Sequence, residues 1–313
     1  MHNKFIYIIF VIVLVYVTQS VSYAQQPNDR IDPKDNWIRV QSDNGEFSIE
    51  VPAKYKFYRN QDGFFDSKDS TSFHLKNMNM LNAYESGTLL SLETYEAGRG
   101  ALSAIYEGDL SNNKDAKKTE LKRNEYKLKQ LVSNSEKSYV IRQYFNSKKY
   151  IYVLTAASRT GETEQMRRFF DSLIFRTDTT AGMAAANWTK LRDLPITETQ
   201  VEMKLDSDDV KSAGNKPVDK PKDDSILALT ILSKPRAAYV EAARQKRVVG
   251  TVRVRLTFAE DGFVSNIVVL KTLPEGLLRQ ALFAAIRMKF LPKTKIGIPE
   301  SSKNVVEYTF SIY

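Results

Sequence analysis

Apolar and polar positions alternate most regularly near the C-terminal end of this chain. Val252, Val254, Leu256 and Phe258 are separated by Thr251, Arg253, Arg255 and Thr257, a period of two. That period predicts a strand with one buried face and one wet, basic face. Asp261-Gly262 follows; glycine supplies the positive φ of a hairpin turn, so residues 264–270 are expected to return antiparallel. The spacing then changes. Leu278, Ala281, Leu282, Ala285, Ile286 and Phe290 recur at helical intervals. They predict a helix over 277–290, opened by Pro274, stopped by Pro292 and laid on the sheet by its apolar stripe. Val306, Tyr308, Phe310 and Ile312 alternate again as a terminal strand facing that helix, with Val305, Glu307, Thr309 and Ser311 on the opposite face. Residues 239–247 read as a short first helix with Tyr239, Ala242 and Ala243 inward. A strand at the chain end has no following loop to cover it. It is therefore a candidate sheet edge, with backbone groups open to a partner strand.

The same reading applied upstream gives a second domain. Phe47, Ile49 and Val51 alternate before Pro52. Further strands are expected at 89–97, 126–132, 139–145 and 150–156, with polar turns at 133–137 and 146–149. Residues 101–110 read as a helix. Residues 162–175 read as another, with Met166, Phe169, Phe170 and Leu173 on one face. Runs of strands with helices at their ends predict an α+β fold around a mostly antiparallel sheet. Phe47-Ser48-Ile49-Glu50-Val51-Pro52 and Arg168-Phe169-Phe170-Asp171-Ser172-Leu173 are similar to phrases of the PsbP/Mog1-like sandwich.

Between the two domains, residues 177–225 read as a linker, although Trp188, Leu191, Leu194 and Ile196 are apolar enough to dock. Residues 206–224 are Asp, Lys, Ser, Pro and Gly with almost nothing to bury. As a random coil these roughly 20 residues span about 25 Å, enough to let two domains move. At the other end, Lys4 precedes an apolar run over 5–17, then a polar stretch, then Ser22-Tyr23-Ala24. This is the layout of a secretory signal over 1–24, with the mature chain starting at Gln25. The alternative is an uncleaved anchor over 5–24, burying Thr18, Gln19 and Ser20. The expected division is signal 1–24, α+β domain 25–176, linker 177–225 and C-terminal domain 226–313.

The C-terminal positions carry a family pattern. Tyr239, Ala243-Arg244, Gly250-Thr251-Val252, Asp261-Gly262-x-Val264, Ala281-Leu282-x-Ala284-Ala285-Ile286-Arg287 and Phe290-x-Pro292 resemble the C-terminal domain of TonB-family proteins. Val240, Met288 and Lys293 depart from it, where the family usually has proline, tryptophan and alanine. The resemblance implies a non-enzymatic, exported protein of the periplasm. It also implies that a segment of an outer-membrane TonB-dependent receptor adds as a strand to a sheet edge, a mode whose affinity comes from backbone hydrogen bonds. Motor-coupled family members carry a histidine in an uncleaved N-terminal helix; residues 5–24 contain none, which implies an accessory version.

Charge sharpens the picture. The chain's net charge is +9. Residues 226–313 hold fourteen Lys or Arg against six Asp or Glu, so nearly all of the excess lies there. Such a module suits acidic partners. The candidate partner-binding set is Pro235 and Tyr239 at the head of the domain, Arg253 and Arg255 on the wet face, and Val305, Glu307, Thr309 and Ser311 on the terminal strand. An anionic envelope surface and a homodimer through the edge strand are further partners; nucleic acid is not expected in that compartment.

Candidate chemistry is sparse. There is no cysteine, hence no disulfide, lipid-modified cysteine or thiolate metal site. His2 and His74 are the only histidines, too few for a triad or a zinc centre. Ser111-Asn112-Asn113-Lys114, Ser42-Asp43-Asn44 and Lys293-Thr294-Lys295 echo serine β-lactamase phrases, but in the wrong order and without the glycine of the third. No cofactor or metal is expected. Two other readings stay open: an envelope structural protein held by its basic module, and an enzyme with its site in the first domain.

Overall fold

Alternating apolar residues in the first half of the chain build an antiparallel sheet that is covered on both faces. The computed structural model describes residues 36–66, 72–96, 98–123, 126–147, 150–175, 189–197, 199–203 and 226–312. The signal segment, Trp188 and residues 206–224 lie outside these. The N-terminal elements are β1 Trp37–Gln41, β2 Phe47–Pro52, β3 Tyr55–Asp66, β4 Ser72–Glu85, β5 Thr88–Glu96, α1 Ala101–Asn112, β6 Lys117–Arg123, β7 Tyr126–Ser135, β8 Ser138–Asn146, β9 Tyr150–Ser158, α2 Glu164–Asp171, β10 Ile174–Phe175 and β11 Thr189–Lys190. Seven of them form a sheet in the order β3-β4-β5-β9-β8-β7-β6, and a smaller sheet runs β10-β2-β1-β11.

One face of the large sheet, with Phe57, Leu81, Leu90, Leu92, Phe145, Tyr152 and Leu154, packs on the small sheet and on Met166, Phe169 and Phe170 of α2. Thr163 caps α2 by accepting from Met166 N at 3.2 Å. The helix ends at Asp171, short of the expected 175, because Ile174–Phe175 instead pairs with β2. Leu191 and Leu194, from the expected linker, are 2% and 3% exposed in this core.

The C-terminal elements are β12 Val201–Met203, β13 Ile226–Leu227, β14 Thr230–Ser233, α3 Glu241–Gln245, β15 Gly250–Phe258, β16 Val264–Lys271, α4 Leu277–Ile286, β17 Lys289–Leu291, β18 Lys293–Lys295, β19 Ile298–Glu300 and β20 Ser302–Phe310. The fold class is α+β. The main sheet runs β12-β16-β15-β20, with β15 and β16 joined through Asp261-Gly262 as the alternation predicts. Val252, Val254, Leu256, Phe258, Val306, Tyr308 and Phe310 meet Leu277, Ala281, Ala284 and Ala285 in one core.

Four expectations here are corrected. Helix α4 stops at Ile286, with Arg287 as its C-cap, rather than at 290. Phe290 is in β17, where it pairs with Ile231 and packs edge-on to Phe258 at 4.9 Å. The residue before Pro292 disfavours helix, and the strand pairing satisfies the backbone instead. α3 spans only Glu241–Gln245, which leaves Ala242 exposed. Ile312 lies past the end of β20, 49% exposed.

The second face of the large sheet carries the C-terminal domain. Phe263 and Phe283 enter a core with Tyr58, Met78, Met80, Tyr95, Ile105 and Val153. Leu291 packs with Leu89, Val140 and Ala157. Arg159 donates to Ala228 O at 2.6 Å, Pro292 O at 2.9 Å and Thr230 Oγ1 at 2.8 Å. The two domains are therefore docked through a packed seam, where the sequence suggests units free to move. The described residues of both domains fall within one compact unit.

Candidate functional site

Strand β20 lies at the edge of its sheet. Its nine residues pair in unbroken antiparallel register with β15, from Gly250↔Phe310 to Phe258↔Ser302. On its other side no strand is paired among the described residues. Lys234 Nζ donates to the Glu307 carbonyl at 3.0 Å. That carbonyl therefore points to the free edge. Backbone groups alternate in direction along a strand, so the N–H and C=O of the odd-numbered residues share this orientation. Lysine across an edge is a common guard against unwanted pairing.

The sheet's opposite edge is already filled. β12 adds parallel to β16, with Val201 opposite Ile267, Glu202 opposite Val268 and Met203 opposite Val269. Ile267 N also donates to Gln200 O at 2.9 Å. The segment expected as linker thus contributes a strand to this sheet.

The expected partner-binding residues fall into two groups. Arg253, Arg255, Val305, Glu307 and Thr309 share the outer face. Arg253 and Glu307 are directly opposite and ion-paired at 2.9 Å. Thr309 and Thr251 hydroxyls meet at 3.2 Å. Arg255 stands opposite Val305 and lines an open groove of about 440 Å³ with Glu202, Thr257, Asn266 and Lys303. Ser311 is exposed beyond the strand end. Pro235 and Tyr239 are not brought onto this face. Tyr239 is 9% exposed; its hydroxyl donates to Val248 O at 2.7 Å and its ring packs edge-on to Phe310 at 5.9 Å. It pins the last residue of β20 from beneath. Pro235 is half-buried and lines the seam between the domains.

That seam holds the groups sequence reasoning missed. Glu93 Oε1 lies 3.0 Å from Lys289 Nζ, and Glu93 Oε2 lies 3.6 Å from Arg287 Nε. All three are below 9% exposed. Lys289 Nζ also donates to Asn82 Oδ1 at 3.1 Å. Burial alone would raise the Glu93 pKa, but Lys289 and Arg287 outweigh it and the carboxyl is held below its ordinary value. Burial pulls Lys289 down, opposed by Glu93. Arg142 pairs with Asp109 at 2.9 Å, and Tyr144 donates to the other Asp109 oxygen at 2.8 Å. Lys56 reaches Asp261 at 2.6 Å. Alternation could place Glu93 on a strand, but nothing local indicates that another domain covers it.

The enzyme-like phrases are dispersed. Ser111 is in α1, Ser42–Asn44 leads into the turn between β1 and β2, and Lys293–Lys295 is β18. His74 is an exposed residue of β4.

No curated protein matches this chain. Residues 235–312 match the family described as Gram-negative bacterial TonB protein C-terminal. The matched span runs from Pro235 through α3, β15, β16, α4 and β20, the elements that build and support the open edge. Over residues 235–312, about a quarter of its length, this chain is thus similar to TonB C-terminal domains.

Proposed function

We propose that this protein is an exported, TonB-like binding protein of the periplasm that serves transport across the envelope. Its C-terminal domain receives an extended segment of an outer-membrane TonB-dependent receptor, or a similar envelope protein, along the free edge of β20. The observation that carries this reading is a nine-residue edge strand whose one long neighbour is β15. The edge offers backbone donors and acceptors at alternate residues, and the exposed side chains beside them supply specificity. Arg253 and Arg255 lie one strand in, where they steer an acidic segment. The filled β16 edge supports the same reading, since this sheet already accepts an added strand in cis.

The reading is of a binder rather than a catalyst, accessory rather than motor-coupled, because residues 5–24 contain no histidine to take up a proton. Accordingly, the chain should not restore receptor-dependent uptake in cells lacking a motor-coupled TonB.

Binding is tested with the full mature chain and a peptide copying the periplasmic N-terminal segment of such a receptor. Amide exchange at Glu307 and Thr309 should slow when the peptide binds. Thr309→Pro removes one outward donor, worth about 1 kcal/mol or roughly fivefold in affinity. Unchanged peptide affinity in a folded Thr309→Pro protein would rule out this edge and leave the basic face as the better candidate. Binding to anionic vesicles that needs no peptide and collapses with moderate salt would favour an envelope-surface role. A dimer in sedimentation that Thr309→Pro dissociates would make a second copy the added strand.

A further inference from the structure

The seam between the domains is incompletely filled. A cavity of about 140 Å³ lies there, lined by Glu93, Tyr95 and Arg142 of the first domain and by Lys234, Arg287 and Lys289 of the second. At about 30 Å³ per water that is room for roughly five waters, or for a small organic acid or phosphate. Five cationic side chains line it, the fifth being Arg236, against the two carboxylates Glu93 and Asp109. The excess is three positive charges.

The carboxylates are already taken. Glu93 is bound most closely by Lys289 and Asp109 by Arg142. Arg287 shares Glu93 with Lys289 at longer range. It is 7% exposed, and its guanidinium lies 5.3 Å from the Phe283 ring centre and 5.9 Å from that of Tyr95. Its Nε reaches Glu93 only at 3.6 Å and makes no hydrogen bond among the described residues. The wholly buried Tyr95 hydroxyl has Arg287 as its polar neighbour, and its own proton is left without an acceptor. Two desolvated donors without acceptors line one cavity that carries excess positive charge. A ligand bearing acceptor oxygens and negative charge would satisfy both.

We propose that this cavity is a binding site for a small anion carrying a carboxylate or phosphate group. The anion's oxygens accept from the Arg287 guanidinium and the Tyr95 hydroxyl. Lys234 and Arg236, both exposed to solvent, complete its neutralisation. Ile105 and Val153 give the site an apolar wall against which a short carbon chain fits. The site needs both domains. It shares Lys234 with the edge proposed for receptor binding, where that side chain meets the Glu307 carbonyl, but its centre at Arg287 and Tyr95 stands whether or not that edge takes a partner strand.

Titration calorimetry of the full mature chain at low ionic strength, with inorganic phosphate and with succinate as probes, tests this. Wild type should bind at least one of them saturably with one site per chain, and its thermal midpoint should rise with the probe. Phosphate binding without succinate binding assigns a phosphate group, and the reverse assigns a carboxylate. Arg287→Gln should weaken binding at least tenfold. Lys303→Ala, which removes a cation from the outer face of the C-terminal sheet, should leave it unchanged. If Arg287→Gln does not fold, the paired change Lys234→Ala with Arg236→Ala decides, with several-fold weakening expected. Absence of saturable binding of either probe to wild type would overturn the proposal. So would equal loss in Lys303→Ala, or affinity unchanged in every cavity variant that folds.

Discussion

Gly262 answers two requirements at once. Its φ of +81° is the conformation the β15–β16 turn needs. A Cβ there would also stand 3.2 Å from Tyr84 Cβ and 3.1 Å from Leu89 Cδ1, across the seam. Gly262→Ala should therefore cost about 1–3 kcal/mol, read as a lower urea midpoint. The turn was legible in Asp261-Gly262; the crowding was not, because Tyr84 and Leu89 belong to another domain. Glu93 is the same case. A glutamate among strand residues reads as solvent-facing, yet here it meets two buried cations. Glu93→Ala should destabilise the chain by about 3–5 kcal/mol, since it leaves Arg287 and Lys289 uncompensated. Acid should mimic that substitution in part. Glu93 titrates below its ordinary 4.5 in the folded protein. Its contribution is therefore present above pH 4.5 and is lost as pH falls through the lower folded-state value. The urea midpoint of wild type should drop in that window more steeply than that of Glu93→Gln.

At the scale of elements, β20 joins a buried face to an open edge. Phe310, 3% exposed and packed on Tyr239, holds the strand's end to the core. Phe310→Ala should cost about 3–5 kcal/mol in urea unfolding. β15, the hairpin and β20 were legible because each has one covered face, and period two records that directly. α4 was less legible. Its apolar residues continue through Phe290 at helical spacing, but Phe290 serves a strand. The spacing shows that a residue is buried, not which element buries it. Phe283 lies off the helix's expected stripe because α4 is covered on two sides. Arg253, Arg255, Val305, Glu307 and Thr309 share one face because β15 and β20 pair in register. Tyr239 went instead to the core that supports them.

For the whole molecule, the large sheet is the middle layer. The small sheet and α2 cover one face, and the C-terminal domain with α1 covers the other. That second covering explains why β5 is buried along nearly its full length while its sequence is mixed. Proteolysis in residues 206–224, where the composition offers no core, should give two fragments that still co-elute on size exclusion. In Glu93→Ala they should separate. The ionic seam also bears on inheritance. Its three buried charges are divided between two domains, so neither half can change its share alone. A loss at Glu93 calls for a matching loss at Arg287 or Lys289, whereas Val305 or Thr309 can vary on its own. Relatives of this chain should therefore exchange the seam charges in concert. A C-terminal domain transplanted from a relative with different seam charges should dock poorly even if its edge strand is identical.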